Sequence, residues 1–127
     1  MEIVEYLLPV SPQKFFAEPF HHPLALGNII KCYKEEGSFP SLENIDIAII
    51  GVNEDRNAPN NRGCAEAPDY VRKYLYNLLQ GQFNVSVADI GNIRQGNTPE
   101  DTYFAVKSVV AQLMERKVLP IIIGGSQ

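Results

Sequence analysis

The stretch Leu119-Pro120-Ile121-Ile122-Ile123-Gly124-Gly125-Ser126-Gln127 decides the architecture, because three consecutive isoleucines run straight into a glycine pair and two polar residues. An apolar run without polar alternation is the pattern of a strand covered on both faces, as parallel strands are in open α/β sheets. Glycines at its carboxyl end let backbone approach a ligand closely, and ligands in such sheets bind just outside the carboxyl ends of the strands. Gln127 therefore stands where a site residue would stand, with Gly124, Gly125 and Ser126 on the pocket rim. Nothing after it begins a further helix, so the sequence reads as a piece of a longer α/β protein, truncated after its third core strand.

Working backwards, the same kind of run occurs in Ile45-Asp46-Ile47-Ala48-Ile49-Ile50-Gly51-Val52, a first core strand that Gly51 closes. A polar loop from Asn53 to Gly63 leads to a helix predicted over Ala67 to Leu79. Pro68 suits its first turn, Asp69 complements the positive end of its dipole, and Ala67, Val71, Leu75, Leu78 and Leu79 line one face before Gly81 ends it. The second core strand is expected over Asn84 to Ile90, with Gly91-Asn92 as the turn beyond it and Asp89 as its last polar residue. Thr98-Pro99-Glu100-Asp101 then reads as a capping box with proline at the first helical position, opening a helix that runs to about Lys117. Tyr103, Val106, Val110 and Leu113 fall on one face of it. Strand, helix, strand, helix, strand implies right-handed crossovers, a parallel sheet and helices covering it. Residues 1–44, punctuated by prolines, read as an irregular extension packed on the domain of residues 45–127, with one helix suggested between Leu24 and Glu36.

A chain of 127 residues, 45% hydrophobic, is enough for one ordinary core. The net charge of −4, from 11 basic and 15 acidic residues spread along the chain, supplies no basic stripe, so nucleic acid is not an expected partner. No window approaches the roughly 20 apolar residues of a membrane span, and Glu2 and Glu5 replace a basic leader, which points to a cytoplasmic protein. Cys32 and Cys64 fit no metal spacing or disulfide framework and read as ordinary thiols. His21 and His22 are the only histidines, and with no acid or thiol at chelating spacing they read as surface or packed imidazoles.

Other candidate sites weigh towards structural roles. Ser126 lacks a Gly-x-Ser-x-Gly elbow and a serving histidine, so it reads as a turn residue. The loop after Gly51 lacks the Gly-x-Gly-x-x-Gly spacing that places pyrophosphate on a helix start. Asp89, a lone aspartate before Gly-Asn, is expected to bond nearby backbone N–H groups.

Three segments in order resemble the ureohydrolase family, which contains arginase, agmatinase and formimidoylglutamase. They are Ile49-Ile50-Gly51-Val52 with Asn61-Arg62-Gly63 and Ala67-Pro68-Asp69-Tyr70-Val71-Arg72; Asp89-Ile90-Gly91-Asn92-Ile93; and Leu119 to Gln127. These are similar to the family's strand with its Gly-Pro-x-x-Ile-Arg helix start, its Asp-x-Gly-Asp or Asp-x-Gly-Asn turn, and its strand ending in Gly-Gly-Asp-His or Gly-Gly-Ser-His. The resemblance implies a three-layer α/β/α, arginase-like fold and hydrolysis of a guanidino or formimino carbon–nitrogen bond by hydroxide bridging two manganese ions. Two metals lower the pKa of the bridging water and hold the trigonal carbon beside it. The family's histidine ligand corresponds to Gln127, whose amide oxygen binds manganese more weakly than imidazole. Asn57, Asn61 and Gly63 correspond to loop residues near the pocket rim. The remaining family ligands lie in Asp-Ala-His-x-Asp and Asp-x-Asp-x-x-Asp-Pro motifs, neither of which occurs here. The expectation is an N-terminal portion of a small-molecule hydrolase that binds no metal and is inactive alone. It would self-associate through uncovered sheet edges. The alternative is a non-catalytic α/β binding or scaffold module.

Overall fold

The computed structural model describes residues 2–11, 22–82 and 84–124. After a 3-10 turn at Ile3–Tyr6 come β1 (Leu7–Leu8), α1 (Leu26–Ile29), β2 (Lys31–Cys32), β3 (Ile47–Val52) and α2 (Ala67–Leu75), then β4 (Val87–Ile93), α3 (Pro99–Glu115) and β5 (Leu119–Gly124). The strands form one mixed sheet in which β3 lies between β4 and β5, parallel to both. The other edge of β4 is shared by β2, parallel along Ala88 and Asp89, and β1, antiparallel along Asn92 and Ile93. The segment before Ile45 thus adds strands to the sheet besides packing on it.

Alternation along β3 sorts its side chains between two layers. Ala48, Ile50 and Val52 join Ala88 and Ile90 of β4 and Ala105, Val109 and Leu113 of α3 in the larger core cluster. On the opposite face Ile49 packs with Val10, Ile30 and Tyr76 in the smaller one. Helices therefore cover both faces, as a strand buried on both sides requires. Ile50, Ile90 and Leu113 are completely buried, each worth roughly 1.5–3 kcal/mol of removed apolar surface.

The structure corrects several boundaries. The helix suggested between Leu24 and Glu36 is confined to Leu26–Ile29, after which the chain turns into β2. The helix predicted to reach Leu79 stops at Leu75. Its continuation is prevented because the carbonyls of Tyr76 and Leu78 accept from Gly27 and Leu26 N–H, while Gln80 N–H donates to Leu24. Gly91-Asn92, expected as a turn, lies inside β4. Gly91 takes a φ of 89°, and the register with β3 shifts there, which makes it a bulge that only glycine accommodates easily.

Two helix faces also differ. On α3 the capping box forms as expected, with Asp101 N–H donating to Thr98 Oγ1 at 3.2 Å and Thr98 N–H to Asp101 Oδ2 at 3.3 Å. The buried face, however, is Thr102, Ala105, Val109 and Leu113; Val106 packs at its margin and Val110 is half-buried. On α2 the buried positions are Pro68 and Arg72, while Val71 is exposed, as are Leu78 and Leu79 beyond the helix end. An arginine occupies the position that the apolar pattern assigned to aliphatic side chains.

β5 is open. Leu119, Ile121 and Ile122 are 60%, 43% and 47% exposed, and among the described residues nothing pairs with its outer edge. Leu119 N–H donates to Asp46 O, so alternate residues bond β3 and Pro120 turns its missing donor outwards, the placement proline tolerates in a sheet.

Candidate functional site

Because β3, β4 and β5 are parallel, their carboxyl ends and the loops that follow emerge at one pole of the sheet. Beneath that pole lies a buried polar network. Arg72, inaccessible to solvent, projects from α2 onto β4 and meets the equally buried Asp89 through two bonds, Nε to Oδ2 at 2.8 Å and Nη2 to Oδ1 at 2.9 Å. The remaining donors reach Asn92 Oδ1 at 2.6 Å and Gly91 O at 3.0 Å. Asp89 also accepts from Gly91 N–H at 3.1 Å and from the Tyr76 hydroxyl, which in turn lies 3.4 Å from Cys32 Sγ.

Every member of this network has partners, the condition under which a buried charge is tolerated. Burial works against the charge on Arg72, but the charge and hydrogen bonds of Asp89, with smaller contributions from Tyr76 and Asp69, together raise the guanidinium pKa. Burial followed by the Asp89 charge raises the Tyr76 pKa, so the phenol stays protonated as a donor. Burial and then Asp89 likewise raise the Cys32 thiol. The local bond from Asp89 to Gly91 expected from sequence is present, but its main partner is Arg72. That pairing was legible only as Pro68, Arg72 and Tyr76 at helical spacing, with nothing to say that this face turns inwards.

At the rim a second network joins the loop after β3 to the loop after β4. Glu54, 2% exposed, accepts Arg56 Nη2 at 2.6 Å, Arg56 Nε at 2.8 Å and Arg56 N–H at 3.1 Å. The hydrogen bonds from Arg56 outweigh desolvation and hold the Glu54 pKa down at about 2. Arg56 also reaches Asn97 O at 3.1 Å and Thr102 Oγ1 at 3.2 Å. No sequence signal distinguished this cluster.

Asn57, Asn61 and Gly63 all lie exposed on the loop after β3. Gly63 has a φ of 99° and donates its N–H to Asp55 Oδ2 at 2.7 Å, while Asn61 N–H donates to Ala58 O. Gly124 is exposed at the end of β5, whereas Gly125, Ser126 and Gln127 lie outside the described residues, as does His21. His22 serves its own turn, its Nδ1 accepting from Leu24 N–H. Cys32 and Cys64 are free thiols.

Among the described residues no three of His, Cys, Asp and Glu stand close enough to hold an ion, and Asp89 is committed to Arg72 and Tyr76. The described donor set does not fit a manganese centre. No helix in these residues is long and apolar enough to cross a membrane.

The fold is that of an α/β protein with a parallel-rich sheet, and the carboxyl ends of β3, β4 and β5 form the pole at which open sheets of this class bind ligands. A family model, the arginase family, matches residues 45–127, and the chain belongs to that family. The family consists of ureohydrolase-like hydrolases acting on small molecules and is generally manganese-dependent. No curated protein and no solved structure matches the chain.

Proposed function

We propose that this chain forms the first core strands and one wall of the pocket in a hydrolase that cleaves a guanidino or formimino carbon–nitrogen bond. The observation that carries the reading is the family match over residues 45–127 together with the parallel β3, β4 and β5, whose following loops leave the sheet at one pole. In the whole enzyme two manganese ions would supply a hydroxide nucleophile at neutral pH. The part played by this chain's own residues is positional. Asn57, Asn61 and Gly63 border the entrance, and the small residues Gly124, Gly125 and Ser126 allow backbone to come close to substrate beyond β5. Gln127 takes the place of a histidine ligand and weakens the metal position it would serve.

Residues 1–127 alone do not turn over substrate. Urea, ammonia and glutamate release are measured with and without added manganese on arginine, agmatine and formiminoglutamate. Turnover well above that of a Gln127→Ala variant would overturn the inactivity. A longer native chain that still releases none of these products would favour the binding or scaffold module, for which the glutamine at position 127 is the supporting observation. Self-association belongs to the same proposal, since the exposed apolar edge of β5 is the kind that recruits another strand. A stable monomer by light scattering at high concentration would count against it.

A further inference from the structure

We infer that Arg56 is a positioning residue that makes the loops following β3 and β4 a single rigid rim. Its guanidinium touches all three parts of the junction. It holds buried Glu54 of its own loop, the Asn97 carbonyl of the second loop, and the Thr102 hydroxyl on the first turns of α3. Thr102, 1% exposed, closes the circuit by accepting Gly96 N–H at 2.9 Å.

Two further observations support coupling over chance proximity. The second loop is seated tightly on α3: a Cβ at Gly96 would collide with Asp101 Cβ and lie 3.0 Å from Thr102 N. The first loop carries its own internal frame, in which Ala58 N–H donates to Asp55 O and Gly63 N–H to Asp55 Oδ2. That frame starts at Asp55, between Glu54 and Arg56, and so includes Arg56. Displacing Asn57, Asn61 and Gly63 as a body therefore requires Arg56 to release Asn97 or Thr102.

A planar guanidinium suits this junction because its donors diverge in fixed directions, whereas an ammonium is a single point. Admission of substrate past the rim rests on the hydrolase reading, but the mechanical coupling does not, and it is tested without any activity.

The test perturbs one loop and reads the other, using amide hydrogen exchange of the full chain with the melting midpoint as control. Thr102→Val removes the hydroxyl from the α3 side while keeping the side-chain shape. The expected result is exchange faster by at least about tenfold at Gly96, and also at Ala58 and Gly63, which do not touch Thr102. Arg56→Ala gives the same paired increase. Arg56→Lys keeps a charge beside Glu54 but loses the divergent donors to Asn97 and Thr102, so exchange stays fast in both loops. An increase confined to Gly96 in Thr102→Val, or to the first loop in Arg56→Ala, overturns the inference. So does a uniform rise across β3 and β4 with a lowered midpoint, which would mark general destabilisation.

Discussion

Replacing Asp89 by asparagine keeps the volume and removes the charge that Arg72 was buried to meet. Both side chains are inaccessible to solvent, and the guanidinium donates twice to the carboxylate. In the variant one carboxylate oxygen becomes an NH2 group facing N–H donors, so an arginine stays buried with a repelling neighbour. Breaking a buried pair from one side costs about 3–5 kcal/mol. For 127 residues and about 2.1 cal/mol/K of unfolding entropy per residue, that lowers the melting midpoint by about 11–19 °C. Urea unfolding followed by circular dichroism should show the midpoint falling while the m-value holds. Arg72→Met and Asp89→Leu should each cost a comparable amount. The double variant Arg72→Met with Asp89→Leu should cost at least about 2 kcal/mol less than the sum of the singles, because the two losses are one interaction. It does not return to the parent value, since Asn92, Gly91 and Tyr76 also lose partners. A cost below about 1 kcal/mol for Asp89→Asn, typical of an exposed pair, would refute the account of Arg72 as the buried anchor of α2.

Three other expectations follow from single positions. Gly51→Ala would drive a Cβ into Asn92 Oδ1, 2.9 Å from Pro68 Cβ and 3.1 Å from Arg72 Nη1; chemical denaturation should show about 1–3 kcal/mol lost to overpacking, and an unchanged midpoint would mean that α2 can retreat. Thr98→Ala deletes the cap of α3 and its reciprocal bond with Asp101, at a cost of about 1 kcal/mol in thermal or urea unfolding, whereas Thr98→Ser keeps the capping hydroxyl and should retain most of the stability. The contribution of Glu54 has a pH window set by its depressed pKa: it is complete above about 4.5, the ordinary value, and disappears as pH falls towards 2. Acid unfolding of Glu54→Gln should consequently be flatter than that of the parent between those limits, and parallel curves would show that the carboxylate does not contribute.

Local sequence was enough to specify the alternation of β3, α2, β4, α3 and β5, the parallel pairing and the cap at Thr98. The signals are β-branched runs, glycine or proline breaks, and a threonine three residues before an aspartate, all of which act through neighbouring backbone. The order of the family-like segments was equally legible, and so was Gly51 at the close of a strand. Packing between distant segments fixed which way each helix faced. In α2 the aliphatic residues gave the stronger pattern, yet Arg72 turned inwards because Asp89 waited in the sheet to neutralise it, a partner 17 positions away in sequence. In α3 the inward face was set by Thr102 meeting Arg56 and Gly96. The early end of α2, the bulge at Gly91 and the two strands drawn from the first 44 residues share that cause. Each is fixed by hydrogen bonds between segments far apart in the chain, and no local pattern encodes the partner until the sheet brings it within reach.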